Sequence, residues 1–195
     1  SATGQDSFHR FFMPFTPGFV HVAPQIGPTL DKLDKSVCAI MMEMVQGEGG
    51  VVPLDKAYVK AVAEACAQRD ILLLVDEVQT GVGRTGTFFA SEQYGISPDI
   101  ITCAKGLGAG LPVGAALFSE KVENVLGPGD HGSTFGGNPV ACAGILEVLR
   151  RLDGAMLSSV REKGAYIAER LKRLRGVRAV TGLGLMLGVE LEDVT

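Results

Sequence analysis

The segment that decides the fold is ILLLVDE, residues 71–77. Its five apolar residues, Ile71 to Val75, follow one another without alternation, and two carboxylates come directly after them. A continuous apolar run of this length is typical of a strand that is covered on both faces of a parallel sheet. We therefore predict a buried strand that places Asp76 and Glu77 at the carboxyl edge of an α/β sheet.

Strand and helix patterns alternate on both sides of this segment. Three further apolar runs predict strands, and helical spacing predicts one helix before the central strand and two more near the end of the chain. The predicted strands are 37–45, 99–103 and 113–118, and the predicted helices are 56–69, 138–152 and 156–174. Strand–helix–strand order with continuous apolar strands predicts an α/β fold with a mostly parallel sheet and flanking helices.

The two ends of the chain follow other patterns. Residues 1–36 carry four prolines that break any regular period, and residues 177–191 form two strand-like stretches around Gly182-Leu183-Gly184. We predict that residues 1–152 belong to one large domain and that residues 153–195 begin a small α+β domain. Because that last unit has nothing to close it, we expect the chain to be an internal piece of a longer protein.

The overall composition is that of an ordinary folded protein. Hydrophobic residues make up 46% and charged residues 21% of the chain, and the formal net charge of −4 gives no reason to expect nucleic acid or an anionic membrane as partner. No apolar run is long enough to cross a bilayer, and the start at Ser1 lacks the features of a signal peptide, so we expect a cytoplasmic protein. The four cysteines lack zinc-site spacing, and we expect buried, reduced thiols and no metal site.

Asp76 and Lys105 each follow a predicted strand, and ligands of open α/β sheets bind beyond the carboxyl ends of the strands. A buried aspartate at a strand end needs a positive or proton-donating partner. The lysine stands before a run of small residues, 106–110, which leaves room for a planar ligand. Pyridoxal phosphate requires both groups: an amine for the Schiff base and a carboxylate for the pyridine nitrogen.

Each of these signals also has an ordinary interpretation. A single lysine in a loop is usually a solvated surface group, and Asp76 alone could equally cap a helix or bind a metal. The glycine-rich run 106–110 could suggest a nucleotide site. It is not followed by the Gly-Lys-Ser/Thr of a P-loop, however, and we do not expect it to open a helix, which disfavours that alternative.

Several segments in order resemble one family, the class III aminotransferases. They are QGEGG at 46–50, DEVQTGVGRTG at 76–86, PDIITCAKG at 98–106 and HGSTFGGNP at 131–139. The resemblance spans nearly the whole chain, and within the family the versions VGRTG and AKGLG are most similar to those of acetylornithine aminotransferases.

The resemblance implies an incomplete large domain of a fold type I pyridoxal-phosphate-dependent transferase, with pyridoxal 5′-phosphate as cofactor. It implies that Lys105 forms the Schiff base and shuttles a proton between substrate and cofactor. Asp76 would pair with the pyridine nitrogen, and Gln79 would hydrogen-bond the ring hydroxyl. Val78 would pack against the ring face, and Glu77 is counted with these cofactor-binding residues.

The resemblance also implies roles toward the substrate and a neighbouring subunit. Thr134 would bind the cofactor phosphate of that subunit and Ser133 would lie beside the substrate there, which makes a homodimer part of the mechanism. Glu48 would pair with an arginine and move aside for a dicarboxylic substrate; alternatively, it caps the glycine loop. Glu43 matches a family glutamate for which we expect a mainly structural role. Met44 stands where the family usually has proline, which loosens the backbone there.

The implied reaction moves an amino group from N-acetylornithine to 2-oxoglutarate, a step of arginine biosynthesis. The alternatives are another class III donor, namely ornithine, succinylornithine or 4-aminobutyrate, or an inactive piece that retains the fold. The family's phosphate loop, stacking aromatic residue and substrate-binding arginine are expected before Ser1, and the arginine partner of Glu48 after Thr195. We therefore expect the isolated chain to be weakly active or inactive.

Overall fold

Strands and helices alternate through most of the computed structural model, which describes residues 1–192. The α-helices are α1 (Asp6–His9), α2 (Ile26–Leu30), α3 (Lys56–Arg69), α4 (Pro139–Arg151) and α5 (Gly154–Leu171). The strands are β1 (Ala39–Met42), β2 (Val45–Gln46), β3 (Val52–Pro53), β4 (Leu72–Asp76), β5 (Ile100–Cys103), β6 (Ala115–Phe118), β7 (Val177–Leu183) and β8 (Met186–Leu191). Two 3₁₀ helices span Ala90–Tyr94 and Lys105–Gly108.

The central sheet has four strands in the order β1-β4-β5-β6. β1 and β5 both run parallel to β4, and β6 runs antiparallel to β5. The predicted α/β fold with a mostly parallel sheet is therefore confirmed. Because three neighbouring strands point the same way, the residues that follow them lie along one edge of the sheet.

Helix α3 covers one face of this sheet and begins and ends where the sequence predicts. The side chain of Asp55 caps its start by accepting from the backbone N–H of Tyr58 at 2.9 Å, and Asp70 ends it in the left-handed conformation. The buried side of α3 and the inward side of β4 share one core, which includes Val59, Val62, Ala65, Cys66, Leu73 and Val75. Burying a valine side chain completely contributes about 1.5–3 kcal/mol, so this contact is a main source of stability. On the opposite face of β4, Leu72 and Leu74 are half-buried, so the strand is not fully covered on both faces.

The strand predicted at 37–45 is divided in the structure. β1 ends at Met42, and the chain then forms a hairpin in which β2 pairs antiparallel with β3. Met44 lies between β1 and β2, and its side chain is fully buried. Its carbonyl accepts hydrogen bonds from Leu54 N at 2.9 Å and from the Tyr94 hydroxyl at 3.0 Å. Packing and hydrogen bonding thus hold Met44 in place, and the effect of methionine where the family usually has proline stays a prediction.

Three further differences from the predictions are local. The segment 1–36 contains the short helices α1 and α2, and the glycine-rich segment after Lys105 begins as a 3₁₀ helix rather than a loop. Cys66 and Cys103 are buried as predicted, but Cys38 is exposed because it precedes β1, which is an edge strand. An edge strand has a neighbour on one side only, so its flanking residues are less covered.

The end of the described chain consists of α5 packed on the β7–β8 hairpin. Gly164 of α5 makes the approach possible, because a Cβ at that position would overlap the carbonyl oxygen of Gly184. The turn between β7 and β8 is joined to the loop that follows β4 by a hydrogen bond from Leu185 N to Arg84 O at 3.0 Å. A domain boundary between residues 152 and 153 remains a prediction, and part of that second unit, residues 193–195, lies outside the described residues. No helix within residues 1–192 is long and apolar enough to cross a membrane.

Candidate active site

The carboxyl edge of the sheet brings Lys105 and Gln79 into direct contact. Lys105 is the second residue after β5, and Gln79 is the third residue after β4. The Lys105 Nζ donates a hydrogen bond to the Gln79 Oε1 at 2.9 Å. The sequence predicts both as cofactor-binding residues, and the parallel pairing of β4 with β5 places them on the same edge. The lysine side chain is exposed, so its amine can still reach a ligand.

Asp76 is the last residue of β4 and lies at this same edge. Its Oδ1 accepts a hydrogen bond from the backbone N–H of Val78 at 2.9 Å, which fixes the direction of the half-buried carboxylate. Within residues 1–192, no hydrogen bond reaches its other oxygen, Oδ2. The carboxylate therefore has a defined orientation and one oxygen available for a ligand.

Glu43 is a third charged group of this edge. It follows β1 directly, and its Oε2 accepts a hydrogen bond from Gly47 N at 3.3 Å. Burial raises the pKa of the Glu43 carboxyl, Asp76 and Glu48 raise it further, and the Gly47 hydrogen bond and Lys105 lower it. The Glu43 carboxylate thus lies within electrostatic reach of both Asp76 and Lys105. The signal for this was available in the sequence, because Glu43 ends an apolar run as Asp76 does.

Lys105 itself has strained backbone. Its φ of 46° lies in the left-handed region that residues other than glycine rarely adopt. Such a residue costs about 1–3 kcal/mol and persists only where the surrounding structure determines its conformation. Positive φ values also occur at Val51, Asp70, Val82 and Ala109, and Asp70 ends α3, so this conformation is not confined to the edge that holds Lys105.

The described residues contain no group of three or more His, Cys, Asp or Glu side chains arranged to hold a metal ion. The groups at this edge are an amine, a carboxamide and the two carboxylates of Asp76 and Glu43.

The whole chain matches one protein family. The family model for class III aminotransferases matches residues 1–195. The chain belongs to the class III aminotransferases.

Curated class III aminotransferases resemble this chain along almost its whole length. It is 50% identical over 195 residues to the acetylornithine aminotransferase of Haemophilus ducreyi and 47% identical over 193 residues to that of Aquifex aeolicus, covering 50% and 51% of those proteins. The chain therefore spans about half the length of the curated relatives it matches.

Solved structures show the same fold. The ornithine aminotransferase of Toxoplasma gondii has a TM-score of 0.91 and 37% identity, with 98% of this chain and 47% of that chain covered. The N-acetylornithine aminotransferase of Stenotrophomonas maltophilia has a TM-score of 0.72 and 39% identity, with 81% of this chain and 42% of that chain covered.

The Glu77 side chain lies in the interior, and its place among the cofactor-binding residues stays a prediction. That side chain is fully buried and accepts hydrogen bonds from Ala90 N at 3.0 Å, from Ser91 N at 2.8 Å and from the Thr80 hydroxyl. It therefore holds the start of the 3₁₀ helix Ala90–Tyr94. The sequence could not show this, because the carboxylate meets its backbone partners only after the intervening loop has folded back.

Three other predicted residues of this class III aminotransferase chain make no described hydrogen bond to the lysine. Ser133 and Thr134 occupy an exposed turn before α4, and no described hydrogen bond connects them to Lys105 or Asp76. Glu48 is exposed in the turn between β2 and β3. Their roles toward a neighbouring subunit and a substrate remain predictions.

Proposed function

We propose that this chain carries the cofactor lysine of a pyridoxal-phosphate-dependent aminotransferase. Residues 1–152 would belong to its cofactor-binding domain, and residues 153–195 would begin its small domain. The observation that carries the proposal is the hydrogen bond between Lys105 and Gln79 at the sheet edge that also holds Asp76.

The residues at this edge fit pyridoxal phosphate by the chemistry of their donor set. The cofactor needs an amine, an acceptor for a protonated ring nitrogen and a donor for the ring hydroxyl. Lys105, the Oδ2 of Asp76 and the Nε2 of Gln79 are groups of these three kinds. The T. gondii ornithine aminotransferase, which shares this fold, has pyridoxal phosphate at its active site with partial occupancy.

Each side chain then has a defined task. When bound, pyridoxal phosphate supplies an aldehyde for amines and a pyridinium ring that accepts the electrons of the broken Cα–H bond. Asp76 would hold the proton on the ring nitrogen, and the Val78 N–H keeps its carboxylate in position. Gln79 would donate from Nε2 to the ring hydroxyl while its Oε1 orients the lysine, and the Val78 side chain would pack against the ring. Lys105 would be the base that takes the proton from the substrate Cα at its Nζ and the acid that gives it back.

The proposed substrates are N-acetylornithine as amino donor and 2-oxoglutarate as acceptor, in arginine biosynthesis. Relatives named acetylornithine aminotransferase at 43–50% identity support this choice. Ornithine is the second candidate donor, because the high TM-score of 0.91 is to an ornithine aminotransferase. Succinylornithine and 4-aminobutyrate are the remaining donors to compare.

We further propose that the enzyme acts as a homodimer in which Thr134 binds the cofactor phosphate of the neighbouring subunit and Ser133 lies beside its substrate. Phe135 supports this, because an apolar side chain that is 81% exposed beside Thr134 is better suited to a partner surface than to water. Glu48, exposed in the turn between β2 and β3, would pair with an arginine and move aside for a dicarboxylic substrate. A cytoplasmic location fits the four cysteines, which are all free.

The test uses the full-length protein with pyridoxal phosphate and compares the four donors side by side. Lys105→Ala should abolish turnover and the visible absorbance of the lysine-bound cofactor, and Asp76→Asn should lower kcat by about 100-fold or more. Lys172→Ala, a change to an exposed lysine of the small unit, is the control. Turnover or cofactor absorbance that survives in Lys105→Ala would overturn the assignment.

The isolated 195-residue chain provides a second test. We expect it to show little or no turnover of N-acetylornithine with 2-oxoglutarate, because it spans about half the length of the relatives it matches. Turnover at the rate of the full-length enzyme would contradict that expectation.

A further inference from the structure

The hairpin formed by β2 and β3 lies directly against the Gln79 side chain of the predicted cofactor site. We infer that Glu43 and Gly47 are positioning residues that set the direction of the Lys105 amine through the side chain of Gln79. The inference rests on the proposed function, because it concerns the same lysine, but it assigns a new task to Glu43, for which the sequence predicts a mainly structural role, and to Gly47.

The first link is the contact between Gly47 and Gln79. A Cβ at Gly47 would lie 2.5 Å from the Gln79 Nε2, 2.6 Å from its Cδ and 2.7 Å from its Oε1. These distances are shorter than any ordinary contact, so a side chain at position 47 would force the carboxamide of Gln79 to move from its present place. The backbone of Gly47 therefore restricts where the amide of Gln79 can lie.

The second link is the hydrogen bond from Lys105 to Gln79. The amine stands on a flexible four-carbon side chain that is exposed, and an unrestrained lysine samples many rotamers. The Gln79 Oε1 accepts from it at 2.9 Å. Because the Gly47 backbone limits the carboxamide, it also limits the direction from which the amine can be held.

The third link holds Gly47 itself. Glu43, fixed at the end of β1, accepts from Gly47 N at 3.3 Å, and the turn is closed by hydrogen bonds from Gly50 N and Val51 N to Gly47 O at 3.2 and 3.1 Å. On its outer side the hairpin meets β8, where a Cβ at Gly188 would lie 2.8 Å from Gly50 O. The turn is therefore held from both sides.

Glu43 has a second means of acting on the lysine, which is its charge. The ionisable groups that act on its carboxyl are Asp76 and Glu48, which raise its pKa together with burial, and Lys105, which lowers it. Glu43→Gln removes the charge and keeps an oxygen that can accept from Gly47 N. Glu43→Met keeps a side chain of similar length but removes both the charge and the oxygen that accepts from Gly47 N. Comparison of the two variants therefore separates the effect of the Gly47 hydrogen bond from the effect of the charge.

The experiment measures the reactivity of Lys105 in the full-length protein without cofactor. Acetylation by a trace of acetic anhydride is followed by mass spectrometry across a range of pH, with Lys172 of the same molecules as internal reference. We expect Gly47→Ala and Glu43→Met each to change the relative rate at Lys105 by at least about threefold, the size of a modest coupling between contacting residues. Glu43→Gln should change it less than Glu43→Met.

Two controls test whether the effect of Gly47 on Lys105 is transmitted through the Gln79 side chain. Gly49→Ala alters the same turn, but its Cβ would make only an ordinary 3.4 Å contact with Gln46, so the rate at Lys105 should stay within error of the wild type. In a Gln79→Ala background, Gly47→Ala should have no further effect, because the connecting side chain is gone. An equal effect of Gly47→Ala with and without Gln79, or an unchanged rate in Glu43→Met, would overturn the inference.

This measurement is independent of transamination. A full-length wild-type protein that failed to bind pyridoxal phosphate or to transfer amino groups would refute the proposed function, while the labelling rates of the cofactor-free protein would still test the contact from Glu43 to Lys105.

Discussion

Removal of the Glu77 carboxylate should destabilise the protein more than most single substitutions. The side chain is fully buried, and Glu77→Ala leaves the N–H groups of Ala90 and Ser91 and the hydroxyl of Thr80 without their acceptor. A hydrogen bond to a charged group contributes about 1.5–3 kcal/mol, and a buried donor left unpaired costs about 1–3 kcal/mol. Removal of a buried charge offsets part of this sum, so we expect a net loss of about 3–5 kcal/mol.

Urea unfolding of the cofactor-free protein measures this loss as a lower midpoint with an unchanged slope. Hydrogen exchange locates it, because the amides of the 3₁₀ helix Ala90–Tyr94 should exchange faster than those of α3. Glu77→Gln keeps one oxygen and should cost less than Glu77→Ala. Glu92→Ala is the matched control: it removes a single exposed hydrogen bond, from Phe89 N at 2.7 Å, at the start of the same helix.

For Glu92→Ala we expect a loss of at most about 1 kcal/mol, the usual size of an exposed cap. If Glu77→Ala cost no more than this control, or if the exchange of the Ala90 and Ser91 amides were unchanged, the carboxylate would not be the group that holds this helix.

Three further predictions concern the core and the second unit. Tyr94→Phe removes the hydroxyl that donates to the buried carbonyl of Met44 at 3.0 Å, and should lower the free energy of unfolding by about 1–2 kcal/mol in urea titrations. Burial, with a smaller contribution from nearby charges, raises the pKa of the Cys66 thiol from 9.0 to about 11. Since the folded-state pKa exceeds the unfolded one, the stability it contributes is present below about pH 9 and is lost as the pH rises through 11. Stability measured over this window should therefore fall less steeply in Cys66→Ala than in the wild type; equal slopes would contradict the assignment. Gly164→Ala places a methyl group on the carbonyl oxygen of Gly184, so the C-terminal hairpin should exchange its amides faster while α3 stays protected, and uniform protection would show that the close approach is not needed.

The sequence predicted those elements whose pattern is purely local. Helix α3 has the predicted bounds, because Asp55 provides a cap and the helical spacing of apolar residues covers its whole length. The strand predicted at 37–45 is too long, since β1 ends at Met42 and the fully buried Met44 belongs to no strand. An apolar residue in a strand and one in a buried turn give the same signal in sequence, and only the surrounding packing distinguishes them.

The candidate site divides in the same way. Lys105, Asp76 and Gln79 could be selected from residue type, from their places after predicted strands and from the family resemblance. The hydrogen bonds of Glu77 could not be predicted, because its partners Ala90 and Ser91 stand 13 and 14 residues further along the chain and are backbone groups without a sequence signature.

The amino-acid sequence by itself determined the α/β class, the order of the elements and the motifs of the aminotransferase family, because these depend on residue type and on short periodic spacing. Only the tertiary structure decided that the Lys105 amine meets the Gln79 carboxamide across 26 residues, that Gly47 lies against that carboxamide and that Glu43 holds Gly47. Such contacts depend on strand register and on how closely two loops approach, and those distances are fixed by packing of the whole sheet edge rather than by any single segment.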